Sequence, residues 1–229
     1  MFFHMGKRFA ARLSFVLILG LAGALAAQDL TSPTVSFSLS FPGSQPDRYS
    51  ISIPQSGDAT YTSDGKLMEG GEANDFKLAF AISEATRSQI FDLARKAKYF
   101  SGDVDSKKKN LAFTGTKVLI YKDGQKENRA SYNYSSVSAV QQLTDLLENM
   151  SSTLEFGRRL EYFHRYQKLA LDEELKRMEE MANHNQLPEL SAITPVLQQI
   201  AEDSTVINPV RARAQRILAR AASGGSPAR

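Results

Sequence analysis

The segment Val35-Ser36-Phe37-Ser38-Leu39-Ser40-Phe41 alternates a large apolar residue with serine along its whole length. Successive side chains of a strand point to opposite faces, so this run reads as a strand with one buried face and one polar face. After the loop Pro42 to Asp47 the alternation resumes at Tyr49, Ile51 and Ile53, and Pro54 ends it. A short strand is expected from Ala59 to Thr62, between the turn chemistry of Ser56-Gly57-Asp58 and of Ser63-Asp64-Gly65-Lys66. Asn74 to Ala81 alternates again at Phe76, Leu78, Phe80 and Ile82.

At Ser83 the period changes. Ser83 is a good N-cap, Glu84 suits the positive end of a helix dipole, and Ile90, Leu93, Ala94 and Ala97 fall at helical spacing. Tyr99-Phe100 closes this helix as an aromatic plug. A loop carrying Lys107, Lys108 and Lys109 leads to strands expected around Leu111–Phe113 and Lys117–Tyr121, and Asp123-Gly124 turns the chain into Arg129–Tyr134. Ser136 or Ser138 then caps a helix whose Val140, Leu143, Leu147, Met150 and Leu154 share one face. The expectation is an α+β domain over residues 27–153, an antiparallel sheet with one or two packed helices.

Beyond Arg158 no strand pattern is present. Residues 158–184 read as one long helix, residues 187–202 and 209–222 as two shorter ones, and residues 223–229 as a flexible tail. The all-α segment is thus placed at residues 154–222. Gly157 admits either a break or a continuous helix, since Gly costs about 1 kcal/mol against Ala inside a helix.

The N-terminus carries Lys7, Arg8 and Arg12 without an acid, then an apolar run from Leu13 to Leu25 and the small-residue site Ala24-Leu25-Ala26. These are the parts of a secretory signal peptide over residues 1–26, with an uncleaved anchor as the alternative. The expected location is periplasmic or secreted. Removal of the leader takes three basic residues from a chain of 28 basic and 25 acidic ones, and the remainder is neutral. Nucleic-acid binding, which needs a surplus of Lys and Arg, loses its support. The C-terminal part is polarised instead, with an acidic stretch to residue 204 and then only basic charges; the last helix is expected to pack on the acidic one.

From Tyr49 to Met150 the order of elements resembles uncharacterised secreted bacterial α+β domains, described only as domains of unknown function. The carriers are Tyr61, Ile82-Ser83, Tyr99-Phe100, the Lys-rich loop and Tyr121-Lys122-Asp123-Gly124. The resemblance implies a fold and an export route and no activity. Leu197 to Leu218, with Asp203 and Val210-Arg211-Ala212-Arg213, is similar to one HEAT-type helical hairpin. That likeness implies that Asp203 and Arg211 steady an inter-helix turn. A lone unit cannot bury its own apolar face, so it is expected to dock on the long helix.

Reactive chemistry is scarce. The chain has no Cys, which excludes thiol nucleophiles, disulfides and thiolate metal sites, and only three His. His164 and His184 are too far apart to share a ligand on one helix. Asp103-Val104-Asp105 starts like a calcium loop, but Lys107 stands at the next ligand position. No catalytic, cofactor or metal residue is therefore assigned. Scattered carboxylates such as Asp145 and Glu148 lie one helical turn apart, a spacing that could serve glycoside chemistry, but helix surfaces carry such pairs routinely and nothing in the sequence marks this one as buried. The candidate binding surface consists of Tyr121, Tyr132 and Tyr134 with Lys107, Lys108 and Lys109; the favoured alternative for the tyrosines is a core position covering the sheet beneath the long helix. Function is expected to be non-enzymatic, an exported binding module for another protein or an envelope component. The alternatives are an Asp/Glu-dependent cell-wall or glycan hydrolase, and an inhibitor that inserts its Lys107–Lys109 loop into a partner's cleft.

Overall fold

The computed structural model describes residues 32–67, 71–124 and 126–223, and among these described residues there are six strands and five α-helices. Residues 1–26, where a signal peptide is expected, and the tail beyond residue 223 lie outside the described residues. Strands β1 (Thr34–Ser40), β2 (Arg48–Pro54), β3 (Ala59–Lys66) and β4 (Ala73–Phe80) form a meander. Strands β5 (Thr116–Asp123) and β6 (Lys126–Tyr132) form a hairpin that pairs with the other side of β1. The spatial order is β4-β3-β2-β1-β5-β6, antiparallel throughout.

The register sets the two faces. Val35 lies opposite Ile53 and Tyr121, and Phe37 opposite Ile51 and Leu119, so the apolar positions of the alternating runs enter one core, with Phe41 at the end of the first run left exposed. The opposite face carries Ser36, Ser38, Ser50, Ser52, Thr60 and Thr62 in cross-strand rows; Ser36 donates to Ser52 at 3.1 Å and Ser50 meets Thr62 at 2.7 Å. This is the α+β class expected from the sequence.

Helix α1 (Glu84–Lys96) is capped by Ser83, whose hydroxyl accepts from the Thr86 amide, and it buries Ile90, Leu93 and Ala94. Helix α2 (Ser138–Tyr166) has 29 residues and crosses the sheet from β6 towards β4, as the contacts of Thr144 with Tyr132 and of Arg158 with Asn74 show. Gly157 does not interrupt it. A Cβ there would lie 2.4 Å from Ile193 Cγ2, so this glycine serves close approach between segments. The helix also runs unbroken through residue 153, where the sequence reading divides the chain, and one apolar core extends from Val35 to Ile217.

Three expectations are corrected. Leu111–Phe113 is not a strand, because the Asn133 side chain takes the backbone groups that a ladder would use: its Oδ1 accepts from the Thr114 amide at 2.9 Å and its Nδ2 donates to the Ala112 carbonyl at 3.0 Å. The expected turn at residues 63–66 lies inside β3; there Ser63 points inward to α2, and Gly65 packs against the Asp47 backbone. The single helix at residues 158–184 breaks at Gln167, whose φ of −146° is not helical, and a 3-10 turn (Lys168–Ala170) leads into α3 (Leu171–Asn183). Folding back is what buries Leu171, Leu175 and Met178; a continuous helix would carry that arc away from α2.

Helices α4 (Thr194–Glu202) and α5 (Asn208–Ala222) complete the core as a hairpin. Arg211 donates to the Ala201 carbonyl at 3.1 Å, closing the end of α4, and Asp203 accepts from the Thr205 amide at 2.8 Å. The charges of α3 and α5 compensate as expected. Arg213 pairs with Asp172 and Glu179, and Arg216 reaches Glu179 at 2.6 Å.

Candidate functional site

Helix α2 carries two stripes. The apolar one, Val140, Leu143, Leu147, Met150 and Leu154, is fully buried. Beside it Gln141, Asp145, Glu148, Ser152 and Arg159 recur at spacings of three, four and seven residues, a polar stripe facing the ends of β1 and β5. Between that stripe and these strand ends runs a cleft made of two adjoining hollows that share Thr114, Lys117 and Glu148. The first has a volume of about 610 Å³ and reaches Tyr49, Phe156 and Arg177; the second, about 350 Å³, reaches Tyr134, Gln141 and Asp145.

Lys117 occupies a core-facing position of β5, in line with Leu119 and Tyr121, and its backbone continues the ladder with Tyr132. A buried ammonium needs compensation. Its Nζ donates to Thr114 Oγ1 at 2.9 Å and to the Asn133 carbonyl at 3.3 Å, with Glu148 Oε1 3.7 Å away. Burial pushes the Glu148 carboxyl above the usual carboxylate range, and the Lys117 charge opposes that rise. Asp145, one turn before, lines the same hollow.

At the other end Glu174 of α3 is buried between two guanidiniums. Arg159 Nε reaches its Oε1 at 2.7 Å and Arg177 its Oε2 at 2.5 Å, and both cations lie over the Phe156 ring at 4.8 and 5.3 Å. The cleft therefore has a cationic end, two arginines on one carboxylate, and an anionic end, where Glu148 faces Lys117 and Asp145 lines the same hollow.

Behind the cleft a closed network ties sheet to helix. Glu155 Oε1 accepts from Tyr61 at 2.9 Å and Ser63 at 2.6 Å, and Arg158 lies 3.5 Å from Oε2 while donating to the Asn74 carbonyl at 3.1 Å. Burial and the adjacent Glu155 charge raise the Tyr61 phenol far above its ordinary value, so it stays a donor at any physiological pH. These groups are saturated with one another and hold α2 in place.

The sequence-derived surface candidates separate in the structure. Tyr132 is buried, its hydroxyl on Thr144 Oγ1, and burial raises its phenol well above the usual value. Tyr121 is buried too, its ring 4.4 Å from that of Tyr99. Both belong to the core beneath α1 and α2. Tyr134 follows the end of β6, is exposed and rims the cleft. Lys107, Lys108 and Lys109 stand on the surface, with Lys107 paired to Asp103.

Sequence reasoning passed over Lys117, Glu155, Arg159 and Arg177. The signals were a lysine on the apolar side of an alternating strand and a second, polar helical stripe beside the apolar one. His164 binds Asp203 at 2.9 Å and His184 caps α3, so the two histidines act separately. No family model matches the chain, and no curated protein is similar to it in sequence.

Proposed function

We propose that the chain is an exported binding module that seats an extended polar ligand in the cleft beside α2. Export is supported by the basic, apolar and small-residue parts of residues 1–26 and by the likeness to secreted α+β domains. The observation that carries the binding reading is the cleft itself, with Arg159 and Arg177 at one end and Asp145 and Glu148 at the other. Asp145 and Arg159 are fourteen residues apart on one helix, about 21 Å along its axis. At about 3.4 Å per residue that length suits some six residues of extended peptide. Its amine end would meet the carboxylates and its carboxylate end the arginines. A peptide from a protein or from an envelope component is the class of ligand that this charge order selects.

Ser152 provides the test. It lines the cleft, and its hydroxyl bonds only the Glu148 carbonyl within its own helix, so Ser152→Trp fills the hollow at little cost to folding. Capture of a partner by covalent crosslinking in the compartment the protein occupies should be lost in the filled variant. Capture that persists in the filled variant overturns the assignment.

One observation favours the hydrolase reading: Glu148, with its carboxyl raised by burial, shares a hollow with Asp145. Release of soluble product from isolated envelope by the wild type, abolished in Glu148→Gln, would establish it in place of simple binding.

A further inference from the structure

We propose that the end of the sheet around the Lys107–Phe113 loop is a peripheral docking surface for a lipid bilayer with anionic headgroups. Among the described residues eight large apolar side chains stand exposed, and five belong to this end: Phe41, Leu111, Phe113, Tyr134 and Val137. Leu111 is 43% and Phe113 57% exposed, large values for residues that a loop could have turned inward. The Phe41 and Phe113 rings meet edge to face with centroids 6.0 Å apart, and Gly115 allows this approach: a Cβ there would lie 2.9 Å from Phe41.

The loop is held in shape. Asn133 clamps residues 112–114, the Ser106 amide donates to the Tyr134 carbonyl at 2.8 Å, and Asp105 bridges to Ser135. Lys107 and Asn110 adopt left-handed φ values of 53° and 73°, which bend the chain sharply between the lysines and the apolar residues. The exposed apolar groups are thus fixed in place before any contact is made, which lowers the entropic cost of docking.

The charge pattern selects the surface. Lys107 spends its charge on Asp103, whereas Lys108 and Lys109 have no ion pair among the described residues. Apolar side chains next to free ammoniums match the boundary between acyl chains and anionic headgroups, and Tyr134 supplies a ring with a polar tip suited to the same depth. Leu111, Phe113 and Val137 project outside both hollows of the cleft, whereas Tyr134 stands on its rim with Asp145 and Glu148 recessed behind it. A fluid bilayer accepts such projections without a complementary hole, which a protein partner would have to provide. No described helix is long and apolar enough to cross a membrane, so this contact is peripheral.

The test is sedimentation of the protein, in the form that cells accumulate, with vesicles of phosphatidylcholine alone or with about one phosphatidylglycerol in four lipids. The wild type should partition more strongly to the anionic vesicles. Leu111→Ser/Phe113→Ser should lower that partition about 30-fold, and Lys108→Gln/Lys109→Gln should lower it several-fold on anionic vesicles while leaving neutral ones unchanged. Ile207→Ser, at an exposed apolar residue of the α4–α5 turn, should behave as wild type. Equal sedimentation with both vesicle types, loop variants that sediment like wild type, or a loop that captures only a soluble protein would each overturn the proposal. The cleft is untouched by these substitutions, so failure here leaves the reading of the cleft standing.

Discussion

Replacing Glu155 by Ala should be among the most damaging single changes available in this chain. The carboxylate is buried, accepts from Tyr61 and Ser63, and is the counter-charge of the equally buried Arg158. Its loss leaves a guanidinium in the interior with no counter-charge, held only by Ser63, Asn74 and the Phe76 ring, and takes the shared carboxylate acceptor from Tyr61 and Ser63. Removing one member of such a pair costs about 3–5 kcal/mol. With a urea dependence of about 2 kcal/mol per molar, the unfolding midpoint should fall by about 2 M. Far-UV circular dichroism reads the transition directly in a chain without Trp. The double variant Glu155→Ala/Arg158→Met removes the stranded charge and should recover about half of the loss or more. A Glu155→Ala variant within about 1 kcal/mol of wild type, or a double variant no more stable than the single one, would refute the claim that this ion pair locks α2 to the sheet.

Gly157→Ala should destabilise by about 1–3 kcal/mol despite the better helix propensity of Ala, because the new methyl collides with Ile193; in an Ile193→Ala background the same change should cost nothing, as thermal melts would show. Glu189→Ala should lower stability by about 1–2 kcal/mol, since its carboxylate accepts from both the Ser83 amide at 2.9 Å and the Ser83 hydroxyl at 2.7 Å and so anchors the start of α1. Asp203 is held well below the ordinary carboxylate value by Lys168, Thr205 and His164. Its stabilising contribution is present above pH about 4 and is lost as pH falls further towards the folded-state value. Wild type and Asp203→Asn should therefore differ in unfolding midpoint at neutral pH and converge on acidification below about pH 4; a gap that widens on acidification would contradict the assignment.

Much of the sheet was legible because Val35 to Leu39 and Tyr49 to Ile53 alternate strictly, and a period of two leaves only one way to bury their apolar side chains. The N-cap and apolar face of α1 and the apolar face of α2 were legible for the same kind of reason, but the serine cap expected for α2 does not form: Val137 stands at its N-cap and no side chain caps it. What escaped depended on contacts distant in sequence. Nothing local stops a helix at Gln167; the stop comes from the packing of Leu171, Leu175 and Met178 back on the core. Nothing local keeps Leu111–Phe113 out of a strand either; Asn133, twenty-odd residues on, takes its hydrogen bonds. Tyr121 and Tyr132 could be read either as core beneath the long helix or as a binding face, because tyrosine suits both, and only the position of α1 and α2 decides for the core. The cleft was half visible: Asp145 and Glu148 could be paired by spacing, whereas Arg177 joins them only after α3 folds back.

The most direct measurement of the cleft assignment is a photo-crosslinking scan in the intact cell. A photoreactive residue placed in turn at Gln141, Ser152 and Met181 along the cleft should capture one and the same partner. The same probe at Ser38, Thr62 and Lys77 on the open face of the sheet should capture none of it. Capture from the sheet face, with the cleft positions silent, would contradict the account.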